Sequence, residues 1–226
     1  MNDERALRIY IDESGGLEVA TDDDVLFILS LVAVEETPGL ISSQADLNHL
    51  LSDVGYTDMI HTAPLVRWGD EYKPFTLGQR RKIFWAMQRF GRNISAKKVV
   101  LIIDRTTLTS TDEGKNLLAN KIASILNDDS PLLAPYDLVS VCYDCGQQAI
   151  TDVITRAIEY SEKSDFEPCF NKVTERPFQL ADLATFTEKL AFKLKNGLKL
   201  TRSEEIFFLK HELELIQRQS SGELLN

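Results

Sequence analysis

Four aspartates stand at positions that solubility alone does not explain. Asp12 closes the apolar run Leu7–Ile11, Asp104 closes Lys98–Ile103, and Asp144 closes Leu138–Tyr143. Asp182 interrupts the apolar stretch Pro177–Ala184. A carboxylate at the carboxyl end of a strand sits where open α/β sheets place their ligands. An ionised acid inside an apolar helix is costly unless it is paired, hydrogen-bonded or metal-bound. Gathered together, such groups repel one another unless a proton or a divalent cation intervenes. Oxygen-only ligands suit Mg²⁺ or Mn²⁺ better than zinc. The chemistry expected of Asp12, Asp104, Asp144 and Asp182 is therefore two-metal phosphodiester hydrolysis. Ions about 4 Å apart would activate water and stabilise the departing 3′-oxygen.

Each acid also has a plainer reading. Asp12, the best single candidate, and Asp104 and Asp144 can instead be turn caps at strand ends, and one of the four can order a ligand without touching metal. Leu7, Ile9 and Ile11 share one strand face, and Arg8, Tyr10 and Asp12 the other, so Glu13 points away from Asp12 unless the backbone twists at Ser14-Gly15. Gln179 lies one helical turn before Asp182 and can hold either a metal-bound water or a backbone group. Cys142 and Cys145 have CxxC spacing, but no second pair accompanies them. Gly15-Gly16 does not open a phosphate-binding loop. Trp68, Tyr72 and Phe75, interleaved with Arg67 and Lys73, can stack on bases or anchor a loop.

The elements that must position these residues follow from the apolar pattern. Leu7–Asp12 reads as a strand, Glu18–Ala20 as a brief return, and Asp22-Asp23-Asp24 as a turn. Val25–Val34 reads as a strand covered on both faces. A short helix over Ser43–Leu51 follows, then a loop or lid over 55–75 with Pro64, Gly69 and Pro74. Thr76 is a fitting cap for a helix to about Arg92. Strands at 97–104 and 138–144 are each followed by a helix, and Phe166–Val173 reads as a short extended segment. Pro177 starts the helix that carries Asp182, Gly197 ends it, and one amphipathic helix runs from Arg202 to Gln219 before a frayed tail. Right-handed crossovers make the strands ending in Asp12, Asp104 and Asp144 neighbours in one mixed sheet. The expected fold is α/β, ribonuclease-H-like, with a mixed central sheet and flanking helices. Residues 1–200 form that domain, and 201–226 pack on or beside it.

At 226 residues and 43% hydrophobic content, the chain can bury a full core. Its longest apolar run is too short to span a bilayer, so no membrane partner is expected. Three cysteines and no secretory signal fit a cytoplasmic setting. A net charge of −10 argues against a general nucleic-acid coat protein. Yet nine basic residues between Arg67 and Lys98, Arg80 and Arg81 among them, face only Asp70 and Glu71. This basic segment either steers a nucleic-acid substrate to an acidic centre, with Arg80 and Arg81 near it, or forms the solvated side of an ordinary helix. Self-association is compatible with the sequence, which leaves the oligomeric state open.

Three blocks resemble a known family. Ile9-Tyr10-Ile11-Asp12-Glu13-Ser14-Gly15, Tyr143-Asp144-Cys145-Gly146-Gln147 and Phe178-Gln179-Leu180-Ala181-Asp182-Leu183 are similar to recurring blocks of the family called domain of unknown function 3800. Ile60-His61-Thr62-Ala63 is similar to its internal histidine block. The resemblance spans roughly residues 7–190 and implies a ribonuclease-H-like domain, often taken for a metal-dependent nuclease. By matching position it implies Asp12, Glu13, His61, Asp144 and Asp182 as site residues, whereas Asp104 rests on its strand end. His61 would shuttle a proton or contact phosphate, or it is an ordinary surface histidine. Two functions follow: a divalent-metal nuclease, or a non-catalytic module that keeps an acidic pocket for one structural ion or a protein partner.

Overall fold

The computed structural model describes residues 5–20, 25–159, 161, 164–168 and 175–225. The acidic turn Asp22-Asp23-Asp24, and the part of the expected extended segment beyond Pro168, lie outside the described residues. The strands are β1 (Ala6–Ser14), β2 (Leu26–Glu35), β3 (Lys97–Asp104), β4 (Leu138–Tyr143), β5 (Ser164–Pro168) and β6 (Glu223–Leu225). They form one sheet in the order β5-β4-β1-β2-β3-β6. The first three are antiparallel neighbours. β4 runs parallel to β1, β5 to β4, and β6 to β3. This mixed sheet with helices on both faces is the ribonuclease-H-like architecture expected from the element order.

Side-chain alternation divides the core into two layers. Leu7, Ile9 and Ile11 of β1 pack with α4 (Thr111–Ile125) and α5 (Gln148–Ile158). Tyr10, from the opposite face, joins α1 (Pro38–Asp53), α3 (Leu77–Asn93) and α6 (Arg176–Lys195). β2 is buried along its whole length except Glu35, because both faces are covered. Thr76 caps α3 through a reciprocal pair with Gln79. Pro177 lies in the first turn of α6, and Gly197, at φ 65°, follows its end.

Several segments differ from the sequence expectation. Glu18–Ala20 forms no strand. The 55–75 stretch is a packed layer rather than an open loop. It contains α2 (Thr62–Arg67) and a 3-10 turn at Asp70–Tyr72, and it buries Tyr56, Ile60, Leu65, Val66 and Tyr72. Tyr72 and Phe75 pack internally, Tyr72 stacking on Tyr56, so of the three aromatics only Trp68 is exposed. The single final helix is two, α7 (Arg202–Phe207) and α8 (Lys210–Arg218). Phe207 and Phe208 both contact Phe84 in the core. Successive residues of one helix diverge by about 100°, so the chain extends at Phe208 to bury both rings.

The tail pairs into the sheet as far as Leu225. β6 pairs with β3, and Glu188 of α6 gathers the residues before it. The Glu188 carboxylate accepts from the Ser220 hydroxyl, the Ser221 and Gly222 amides and Lys98 Nζ, at 2.7–3.2 Å. Among the described residues no helix is long and apolar enough to cross a membrane.

Candidate active site

Sheet register decides which strand-end acids can meet. Ile11 on β1 is level with Tyr143 on β4, so Asp144, the next residue, emerges beside Asp12 on the adjoining strand. Asp12 is level with Ser30 on β2, and Ser30 with Val100 on β3. Asp104 therefore lies four residues further along, about 13 Å by strand rise and two strands away. Its Oδ1 accepts from the Thr106 amide at 3.0 Å and from the Thr106 hydroxyl at 2.6 Å. The register separates Asp104 from Asp12, and the geometry is that of a strand-end cap.

A buried serine brings Asp182 to Asp12. Ser30, the polar break in the apolar run of β2, donates to the Ala181 carbonyl at 2.7 Å and also meets the Thr185 hydroxyl. Thr185 in turn donates to the Asp12 carbonyl at 3.4 Å. These contacts seat α6 across β1 and β2, with Asp182 over the end of β1. Asp12 is enclosed on most sides yet keeps a partly open solvent face. Burial pushes its carboxyl well above the ordinary carboxylate range, and the charges of Asp182, Glu13 and Asp144 push it further. The Glu13 backbone N–H opposes this. Among the described residues no cationic side chain pairs with it.

Asp182 has a second duty. Burial raises its pKa, while the Thr62 amide, which donates to Oδ2 at 2.6 Å, the Thr62 hydroxyl and the charge of His61 act the other way. That hydroxyl is buried outside hydrogen-bond geometry, so its help is a longer-range dipole. Three successive backbone N–H groups are held by side chains here: Ile60 by Gln179 Oε1 at 3.1 Å, His61 by the Tyr72 hydroxyl at 2.9 Å, and Thr62 by Asp182. The segment is thus fixed, and the His61 side chain stands exposed beside Asp182. Gln179 also accepts from Arg176 Nη1 at 2.9 Å, so its carboxamide holds backbone and helix start together.

Glu13 leans to the other sheet face, as strand alternation requires. Gln147 Nε2 donates to it at 3.0 Å, and the nearby Tyr143 hydroxyl favours its charged form. Burial nevertheless leaves its pKa raised. Asp144 Oδ1 accepts from the Gly146 amide at 2.9 Å across a turn that places Cys145 at φ 61°. Cys142 is buried and Cys145 half-buried. Sequence reasoning passed over Ser30, Thr62, Tyr143 and Gln147. Thr62, Tyr143 and Gln147 stood inside the family-like blocks without a role of their own, and Ser30 carried a signal as the one hydroxyl inside Val25–Val34.

Arg80 and Arg81 are engaged away from these acids. Buried Arg80 donates through Nη1 to the Leu65 and Val66 carbonyls at 2.6 and 3.2 Å, closing the C-terminus of α2. Arg81 donates to the Phe207 and Ile206 carbonyls at 2.6 and 2.9 Å, closing α7. Both are helix caps formed by cations at carbonyl ends. Replacing Arg80 with Met keeps most of its bulk and removes these bonds. Urea unfolding is expected to show a loss of about 1–3 kcal/mol, and an unchanged midpoint would contradict the capping role.

The acids converge without a finished cage: among the described residues, no three His, Cys, Asp or Glu side chains stand close enough to hold a metal ion. No protein-family model matches the chain, and no curated protein matches it. Among solved structures it is similar to a chain of the PCNA:RNase HII complex from Archaeoglobus fulgidus. That match has 14% identity and a TM-score of 0.40, covering 93% of this chain and 90% of the other. It is also similar to the ribonuclease H2 from Pyrococcus horikoshii OT3, again at 14% identity, with a TM-score of 0.34. There the match covers 95% of this chain and all of the other. Strand order and direction, rather than these two chains, carry the fold.

Proposed function

We propose that this chain is a divalent-metal-dependent phosphodiester hydrolase acting on RNA or DNA, with Asp12, Asp144 and Asp182 as candidate ligands of Mg²⁺ or Mn²⁺. The observation that carries the reading is the carboxyl of Asp12, recessed beside three other acids and, among the described residues, with no cation paired to it. A cluster of like charges is costly by itself and becomes favourable when a hard cation shares its oxygens. Bound there, such a cation would polarise a phosphodiester and acidify a water. Asp12 and Asp182 would bind, Glu13 would orient Gln147 and the turn after β4, and His61 would exchange a proton with a substrate oxygen. Exposed Trp68, next to exposed Arg67, offers a stacking surface for a base. The similarity of the three acid-bearing blocks to the domain of unknown function 3800 agrees with this reading.

A second reading is a non-catalytic ribonuclease-H-like module with a structural acidic pocket. It is favoured by the hydrogen bonds that already occupy Asp182 and Asp144. One experiment separates the two. Labelled single- and double-stranded RNA and DNA are incubated with the protein in Mg²⁺, Mn²⁺ or EDTA, alongside Asp12→Asn. Cleavage is expected in Mg²⁺ or Mn²⁺ and absent in EDTA and in the variant. Equal products from both proteins would remove the hydrolase reading.

A further inference from the structure

Asp182 occupies one side of α6, and a cavity of about 480 Å³ opens on the opposite side. At 100° per residue, Leu180, Leu183, Ala184, Thr187 and Glu188 share that face, away from Asp182. Val32 from β2 and Ile216 from α8 complete an apolar floor. The rim is different in kind. Gln88, Arg92, Ser95 and Gln219 converge there, and among the described residues none of their side chains makes a hydrogen bond or ion pair. Arg92 is exposed and lies in the last turn of α3. The one acid in the wall, Glu188, is already balanced by Lys98 and three further donors. It therefore presents little net charge to the cavity.

Apolar walls with a few uncommitted polar groups at the mouth, at this volume, are the usual form of a small-molecule site. We propose that the cavity binds a small amphiphilic anion, an alkyl carboxylate, with its apolar body on Leu183, Ala184 and Ile216 and its head group at Arg92. The charge selects the sign of the head: an unpaired guanidinium beside two carboxamides and a hydroxyl recognises a carboxylate. The walls select the body, since among the described residues no aromatic side chain in the lining offers a stacking partner. This site is separate from the acidic cluster and does not depend on hydrolase activity.

Decanoate and decanol, both below their aggregation limits, are the probes. Binding is read by calorimetry and by Tm on the full chain, on Arg92→Gln and on Ala184→Phe. Arg92 is exposed, so its variant folds; Ala184→Phe fills the floor, and its own melting curve reports whether it does. Decanoate at a hundredfold excess over its Kd is expected to raise the wild-type Tm by about 5 °C or more. Decanol should bind at least about tenfold more weakly, and Arg92→Gln should abolish that preference. A folded Ala184→Phe should show no decanoate shift. The proposal is overturned if decanoate leaves the wild type unshifted, if decanol binds as well as decanoate, or if Arg92→Gln keeps the full preference.

Discussion

Asp12→Asn is expected to melt higher than the wild type at neutral pH while losing metal-dependent cleavage. Asparagine preserves shape and removes the charge that burial, Asp182, Glu13 and Asp144 all disfavour. Because the folded pKa of Asp12 lies above its ordinary value of 3.8, ionisation weakens the folded state increasingly as pH rises from there through the folded pKa. The Tm advantage of the variant should therefore vanish near pH 3 and grow towards neutrality. Cleavage should fall more than about a hundredfold, since changing even the partners of a metal ligand costs up to that much. A variant that melts lower at pH 7 would contradict the electrostatic account. A variant that still cleaves in Mg²⁺ would contradict the catalytic one.

Glu188→Ala is expected to have the largest effect on stability. The carboxylate is 1% exposed and holds two backbone amides, a hydroxyl and Lys98. Truncation leaves those donors facing an apolar wall, at a cost of about 2–4 kcal/mol. Burial alone would raise the Glu188 pKa, but Lys98 and the three hydrogen bonds outweigh it and hold it below 4.5. Its contribution is thus present above pH 4.5 and is lost as pH falls through that lowered value. Hydrogen exchange should show early opening of Leu224 and Leu225, with β1 and β2 still protected. Equal protection of β6 in variant and wild type would refute the latch.

Strand identity was legible because period and length are local properties. The apolar runs ending at Asp12, Asp104 and Asp144 are β1, β3 and β4. What distinguishes Asp104 from Asp144 is register, and register is a relation between strands. The two acids follow equivalent apolar runs, yet one emerges level with Asp12 and the other four residues beyond it. The basic segment shows the same limit. A charge pattern along one helix cannot tell a guanidinium facing phosphate from one closing the carbonyl end of a distant helix, as Arg80 and Arg81 do. β6 is three residues long and has no periodicity to read. It exists because β3 offers an edge and Glu188 fixes the approach.

The helix α2 has six residues, too few to persist alone in water. Its amino end rests on Asp182, 120 residues later in the chain, and its carboxyl end on Arg80. A single carboxyl group is thereby shared between a secondary-structure element and the acidic cluster. Thermodynamic reciprocity then applies: whatever draws charge density away from Asp182 loosens the Thr62 turn to the same degree that ordering this turn weakens the draw. The histidine segment and the acid cluster form one two-ended balance, in which local helix–coil equilibrium and ligand affinity are read on the same scale.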